Sequence, residues 1–411
     1  MNAQAHASMI DHAPKIIAEQ RLRVQGVLWN SLGPASLANA LIELLEHLPV
    51  DHVDRTLWAL NRHPELRRDY HRPAFPDLAY RILCKARVPT TIQGLLGRPR
   101  ALRSIRPGDI VYIWPPFDLP LIKRAQERGA IVVAERTNCM APMALEAISR
   151  AYARRSIPMP KSWFPLDGMA EERERMWQCD FVTANNPFVR QSLLDAGLPE
   201  ERIMETSYGF SPHRLVSAIA IDRPKRPPVF AFVGTGTISK GLDVLLEAWE
   251  RASVSGRLLI AGEIDSDIRS TYEHILDRPD VEALGWVQDM ATVYGAADVF
   301  VFPSHVEGGP LVVYEAAGSG LPSIISPMGC GRLVRHGEEG LVVNPLDVDA
   351  WAGAITKLAE DGTLRETLAR NARQRAQKFT WEKVGARLYG LFRSITETPS
   401  RPPAPWNEAS L

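Results

Sequence analysis

Residues 298–322, DVFVFPSHVEGGPLVVYEAAGSGLP, decide how the rest of the chain is read. Val299 to Phe302 is a short β-branched and aromatic run without alternation, the pattern of a strand covered on both faces of a parallel sheet. Pro303 stops it, Ser304 to Gly309 form a loop, and Pro310 sits where the start of a helix tolerates proline. The spacing then predicts a helix over Leu311 to Ser319, ended by Gly320. A strand feeding straight into a helix N-terminus is where open α/β sheets bind ligands.

Two acids in this stretch are placed differently. Glu307 lies in the loop and Glu315 about two turns inside the helix, roughly 12 Å further along the axis. That separation suits opposite ends of one elongated ligand better than one metal ion. Between them, the amides near Gly308, Gly309 and Leu311 form the positive end of a helix, where an anionic group is stabilised. The alternative is a solvated loop acid and a helix acid paired with a nearby base.

EGGPLVVYE followed by AAGSGLPSI resembles the Glu-x7-Glu signature of the retaining glycosyltransferases of family 4, whose architecture is GT-B, two Rossmann-like doubly wound domains facing across a cleft. The likeness extends over residues 180–390. It implies that Glu307 lies by the donor sugar and that Glu315 binds the ribose hydroxyls of the nucleotide. It also implies a nucleotide-sugar donor used as substrate, with no cofactor and no metal, and a glycan or lipid-linked acceptor.

Composition agrees with a two-domain globular enzyme. The chain has 411 residues, 45% apolar and 23% charged, too long for one ordinary core and too balanced for a disordered or fibrous class. The net charge of zero argues against a nucleic-acid binder. No stretch approaches 18 consecutive apolar residues, and MNAQAHASMIDHAPKIIAEQ lacks a basic region followed by an apolar core, so a cytoplasmic location is expected, with peripheral contact on the inner face of the membrane left open. Cys84, Cys139, Cys179 and Cys330 show no CxxC spacing, which points to neither a zinc site nor a disulfide framework.

Upstream, VFAFVGTGTISKGLDVLLEAWERA opens the second domain: a strand over Val229 to Val233, a glycine loop from Gly234 to Ser239, and a helix from Lys240 to Ala252. It matches neither a GxGxxG nor a Walker loop. Where the family resembled here carries VGR and then KG, Lys240 fits and Thr235 replaces the arginine. The resemblance therefore leaves Lys240, with the loop at Gly234, Thr235 and Gly236, to offset the leaving diphosphate, unless another cation fills in; a solvated lysine is the alternative. Trp286 and Val287, after the ALGWV strand edge, are implied to lie against the nucleotide base. Asp265, Asp267, Asp347 and Asp349 read as helix caps and dipole partners rather than metal ligands. In MGCGRLVRHGEEG, Arg332 either approaches the sugar or phosphates or sits in a simple glycine turn.

The first domain follows the same plan less clearly. Arg21 to Trp29 reads as a strand, Gly33 and Pro34 as a turn that either admits substrate or merely tightens the chain, and Ser36 as a cap for the helix that follows. DIVYIW and AIVVAE are further parallel strands. Trp114 and Arg136 fall at strand C-terminal ends and, with Gly33, are the candidate acceptor contacts. Many members of the family resembled carry a histidine near the position of Arg136, so substrate charge is the expected partner here. Residues 51–107, proline-broken and rich in arginine, fit either an anionic membrane surface or a solvated face around a phosphate-bearing substrate. The implied division is an arm over 1–20, an acceptor domain over 21–210, a linker over 211–228, a nucleotide-sugar domain over 229–380, a helix over 381–395 crossing back to the first domain, and a disordered tail over 396–411. Two rival functions stay open: a sugar-nucleotide isomerase or hydrolase on the same scaffold, and a degenerate nucleotide-sugar-binding protein.

Overall fold

The computed structural model describes residues 21–30, 32, 38–61, 69–160, 166–218, 226–397 and 405–407. The first domain runs β1 (Leu22–Leu28), α1 (Ala38–Glu46), β2 (Val53–Ala59), β3 (His71–Pro73), α2 (Asp77–Lys85), α3 (Thr90–Ser104), β4 (Ile110–Ile113), α4 (Leu119–Glu127), β5 (Ile131–Ala134), α5 (Ala141–Arg154), α6 (Leu166–Trp177), β6 (Phe181–Ala184), α7 (Pro187–Asp195) and β7 (Ile203–Glu205). The second runs β8 (Val229–Val233), α8 (Leu242–Ala252), β9 (Arg257–Ala261), α9 (Ser266–Thr271), α10 (Glu273–Leu276), β10 (Val281–Gly285), α11 (Met290–Ala296), β11 (Val299–Phe302), α12 (Leu311–Gly318), β12 (Ser323–Ile325), β13 (Gly340–Val342), α13 (Val348–Glu360) and α14 (Gly362–Ala376), followed by α15 (Trp381–Glu397).

Every strand pairs in parallel, in the orders β3-β2-β1-β4-β5-β6-β7 and β10-β9-β8-β11-β12-β13. Each order reverses once, between β1 and β4 and between β8 and β11, and the crevice at such a reversal is the usual ligand position. The central strands β4, β6, β8 and β11 are buried at every residue, which is why they read as continuous apolar runs. The two strands without a clear sequence signal, β2 and β3, explain themselves: Asp54 and Arg55 interrupt one apolar run, and the other is a three-residue edge strand ending on Pro73.

The chain crosses between domains twice at one place. Phe210 and Thr380 form a bridge, with the Phe210 amide donating to Phe379 O (3.1 Å) and the Trp381 amide to Phe210 O (3.1 Å). Beyond it, α15 lies against α1 of the first domain; Gly385 meets His47 so closely that a Cβ would sit 2.4 Å from its carbonyl oxygen. The tail expected to be disordered is ordered at residues 405–407. There Trp406 stacks on Phe379 (6.1 Å, 11°) under the guanidinium groups of Arg332 and Arg387, a cation–π arrangement that an aromatic in a proline-rich segment does not announce. The arm at 1–20, Gly33, Pro34 and Ser36 lie outside the described residues.

Candidate active site

The reversal in the second sheet brings together the loops that follow β8 and β11. Asp298, at the foot of β11, accepts from the Val229 amide (2.8 Å) and fixes the two strands side by side. At their far ends, Gly241 has φ +72, and a Cβ there would stand 2.2 Å from Pro303 O. Only glycine lets the two loops cross, so α8 starts at Leu242 rather than at Lys240, and Lys240 stays in the turn beneath the Glu307 loop.

Lys240 and Glu307 meet there, Nζ to Oε1 at 2.5 Å. Ser304 Oγ donates to the same carboxylate oxygen (2.7 Å), and the ammonium lies 5.8 Å from the Phe302 ring centroid. Glu307 is buried and Lys240 half-buried. The two residues read separately from the sequence are thus one ion pair at the switch point. Among the described residues no backbone carbonyl accepts from the amides of Gly308, Gly309 or Leu311, so the tip of α12 keeps free donors beside that pair. Pro310 precedes it at the N-cap.

Glu315 is the fifth residue of α12, about one turn from its start rather than two, half-buried, and accepts a hydrogen bond from Tyr294 (2.8 Å). Burial pushes its carboxyl up from the ordinary range, against the pull of the tyrosine donor. Gly234 and Gly262 are both at positive φ, +146 and +136, and a Cβ on Gly262 would stand 2.0 Å from Gly234 O. Gly236 is similarly crowded by Leu242 and Ile264. The Gly234–Thr235–Gly236 turn is therefore pressed against the end of β9. Trp286 is 63% exposed beyond β10, and Val287 is partly buried against the core.

The opposite wall comes from the first domain. A Cβ on Gly308 would stand 1.8 Å from Thr137 O, and one on Gly309 would stand 2.6 Å from the Tyr208 ring. Asn186 Nδ2 donates to Gly308 O. The glycines named for ligand approach also serve domain approach, because the first domain's backbone presses directly on them. Beneath them Glu135 is fully buried and accepts from Tyr112 (2.5 Å), Tyr208 (2.8 Å) and Thr183. Burial raises its carboxyl despite those three hydroxyls. An apolar run ending in Glu gave no sign of this network, since its partners come from three other segments.

Two of the proposed acceptor contacts are occupied otherwise. Trp114 is 0% exposed and lies between Tyr112 and Tyr208, leaving no face for a ligand. Arg136 is buried, with Nε on Asn138 O (2.7 Å), Nη2 on Cys139 O (2.9 Å) and Nη1 on Glu172 (3.0 Å). Its donors are spent bracing the 137–139 loop that meets Gly308, so it positions that loop rather than binding substrate charge. Arg332 likewise turns away from the donor loop: it donates to Thr206 O (2.7 Å), Ala184 O (3.2 Å) and Glu205 (2.7 Å), tying the second domain to the first. Arg154, at the end of α5, makes a second tie to Asp243 and to Glu247 (2.7 Å) of α8. Asp265 and Asp347 cap α9 and α13 as read, and Asp349 pairs with Arg251 (2.7 Å).

In place of Trp114 and Arg136, the first sheet's own reversal opens a cavity of about 1050 Å³ at the ends of β1 and β4, bounded by α3, α4 and α6. At its wall Asp118 accepts from Trp29 Nε1 (3.0 Å) and Arg98 Nε (2.8 Å) while capping α4 through the Leu121 amide (3.1 Å). Phe117 and Trp177 complete an apolar pocket whose edges carry both signs, Lys123 and Arg173 beside Glu171 and Glu174.

With this geometry in place, comparison with known proteins is specific in the second domain and broad over the whole. Residues 227–361 match the family model described as glycosyl transferases, group 1. The capsular polysaccharide biosynthesis glycosyltransferase CapM of Staphylococcus aureus is 32% identical over 181 residues, covering 41% of this chain and 47% of that protein; the chain spans less than half the length of the curated relatives it matches first. Among solved structures, sucrose-phosphate synthase from Thermosynechococcus elongatus superposes with a TM-score of 0.69 at 18% identity, covering 92% of this chain and 100% of that one. Anabaena HepE in complex with UDP and glucose gives 0.62 at 17% identity, over 92% and 100%. The fold is GT-B: two Rossmann-like domains meeting at the C-terminal ends of their strands.

Proposed function

We propose that this protein is a retaining glycosyltransferase of the family 4 type, which moves a sugar from a nucleotide-sugar donor in the second domain to an acceptor hydroxyl presented by the first. The observation that carries the reading is the Lys240–Glu307 pair beside the free amides of α12, at the strand reversal where open α/β sheets hold ligands. The group 1 match over this domain, the polysaccharide role named for CapM and the UDP and glucose named for HepE support it.

In this reading Glu315 takes the ribose hydroxyls, the tip of α12 and Lys240 face the diphosphate, and Glu307 orients the sugar. Glu307 holds the ammonium, so a diphosphate at the helix tip shares it with that carboxylate. As the glycosidic bond breaks, the electron pair leaves with the diphosphate, the sugar passes through an oxocarbenium-like state, and the acceptor oxygen bonds on the vacated face while its proton passes to the departing diphosphate oxygen. Preorganised donors at the leaving oxygen lower that barrier most. Thr235 supplies no charge, so the cationic share falls to Lys240 or to another cation from outside this turn. The acceptor head is assigned to the cavity beside Trp29 and Asp118, and a polysaccharide or glycolipid pathway is the expected setting.

Product analysis tests this. Incubation with UDP-, GDP- and ADP-sugars and candidate acceptors is expected to yield an acceptor-dependent glycoside whose anomeric configuration, read by NMR, matches that of the donor. Inverted product removes the retaining mechanism. Nucleotide release or isomerised sugar nucleotide that ignores the acceptor favours the isomerase or hydrolase alternative.

A further inference from the structure

The stretch from His71 to Arg106 holds eight arginines and lysines and one acid, Asp77, in a chain whose net charge is zero. It folds mainly as α2 and α3, and neither helix packs as an ordinary surface helix does. No residue of α2 is buried. Leu78 is 71% and Ile82 59% exposed, and one turn apart they form a stripe flanked by exposed Arg81 and Lys85. In α3 the usual arrangement is inverted. Gly94 and Gly97 face inward, where a Cβ would stand 2.9 Å from the Trp29 ring and 2.6 Å from Ala74 Cβ, while Ile92, Leu95 and Leu96 project to solvent at 46%, 50% and 56% exposure. Arg100 and Arg103 continue that outer face. Five of the eight large apolar side chains exposed among the described residues therefore lie on these two adjacent helices. An isolated exposed leucine is unremarkable; a cluster rimmed by cations marks an interaction surface.

We infer that the outer face of α2 and α3 docks on an anionic membrane surface, the apolar side chains entering the headgroup boundary and the arginines and lysine meeting lipid phosphates. Both halves of that chemistry are needed. Cations alone would suit any polyanion, but leucines and isoleucines gain nothing on a nucleic-acid backbone, and a purely apolar protein partner would not require the charge excess. None of the described helices is long and apolar enough to cross a membrane, so contact here is with the surface. Leu95 and Arg98 of α3 also line the cavity assigned to the acceptor. If the transferase reading holds, the surface would present a lipid-linked acceptor to that cavity; the docking itself does not depend on turnover.

Sedimentation with vesicles tests it on the full-length chain. Binding is expected to vesicles of phosphatidylglycerol mixed with phosphatidylcholine, to fall with added salt, and to be absent on phosphatidylcholine alone. Each basic side chain at an anionic surface contributes about fivefold in partitioning, so reversing Arg81, Lys85 and Arg103 to Glu should weaken binding by on the order of a hundredfold or more. Leu78→Ser with Ile82→Ser should weaken it while leaving the salt dependence of the remaining binding in place. Because no residue of α2 is buried and Arg103 of α3 is exposed, both sets are expected to melt like the parent, which circular dichroism checks. Wild-type protein that ignores anionic vesicles, or binds them equally after charge reversal, overturns the inference. So does a dimer that Leu78→Ser and Ile82→Ser convert to monomer, since the face would then belong to a second copy. Any of these results leaves nucleotide binding and transfer to be judged separately.

Discussion

The two strand edges that face each other across the cleft use charge in opposite ways. On the first domain's side, Glu135 and Arg136 are buried and spent: one accepts from three hydroxyls, the other braces its own loop. On the second domain's side, among the described residues the Lys240 and Glu307 side chains pair with each other and with Ser304, over the Phe302 ring and next to a helix tip with free amides. Strand ends on the two sheets have thus become a rigid wall, after β5, and a more open floor, after β8 and β11. The wall fixes where the floor sits, because Thr137 and Tyr208 press on Gly308 and Gly309.

Arg154 of the first domain pairs with two acids of the second, and breaking that tie should cost most. Arg154→Ala leaves Asp243 buried without its nearest cation; about 3–5 kcal/mol of stability is expected to go, read as a lower denaturation midpoint. A midpoint within error of the parent would mean the domains hold together elsewhere.

Next is Lys240→Ala, which removes the cation from the floor and should lower kcat about 100- to 1000-fold, with partial recovery in Lys240→Arg. Turnover unchanged by the alanine would refute the role given to Lys240.

His305 separates the stability of the active-site loop from its chemistry. Burial, with Arg154 nearby, lowers its pKa from 6.5 to about 4. Between those values the unfolded chain binds a proton that the folded one refuses, so stability is complete above pH 6.5 and is lost as pH falls toward 4. The loss amounts to about 3 kcal/mol at most. Thermal melts of His305→Asn across this window should be flatter than wild type; parallel curves would show that His305 is not the group responsible.

Gly308→Ala tests the wall itself. With a Cβ 1.8 Å from Thr137 O the domains cannot close as they do, and a misplacement of about 1 Å between reacting groups costs roughly 100-fold in turnover. Nucleotide binding to the second domain should persist. Undiminished transfer would show that closure is not needed.

How much was legible follows from the same contrast. The second domain's site is built from contiguous segments, strand, glycine turn and helix, so Lys240, Glu307 and the start of α12 could be named from spacing and resemblance. Their pairing could not, because it depends on Gly241 crossing Pro303 from a separate loop. In the first domain, proximity to a strand end suggested Trp114 and Arg136, but packing against Tyr112, Tyr208 and the 138–139 carbonyls involves distant residues and leaves no local pattern. The Trp29–Asp118–Arg98 cluster was hidden for that reason, and α2 and α3 were obscured by prolines that turn out to stand at their starts, Pro76 and Pro89.

The arrangement on which all of this rests is one elongated donor spanning the tip of α12, from Lys240 and Glu307 to Glu315. Thermal melting with UDP, GDP, ADP and their sugars, run on wild type and Glu315→Ala, examines it most directly. One nucleotide at about 100 times its Kd should add roughly 2.7 kcal/mol and raise the wild-type midpoint by several degrees. In the variant the affinity should drop about 10- to 100-fold, as expected when hydrogen bonds to a charged group are lost. Equal stabilisation of both proteins, or none in either, would contradict the account.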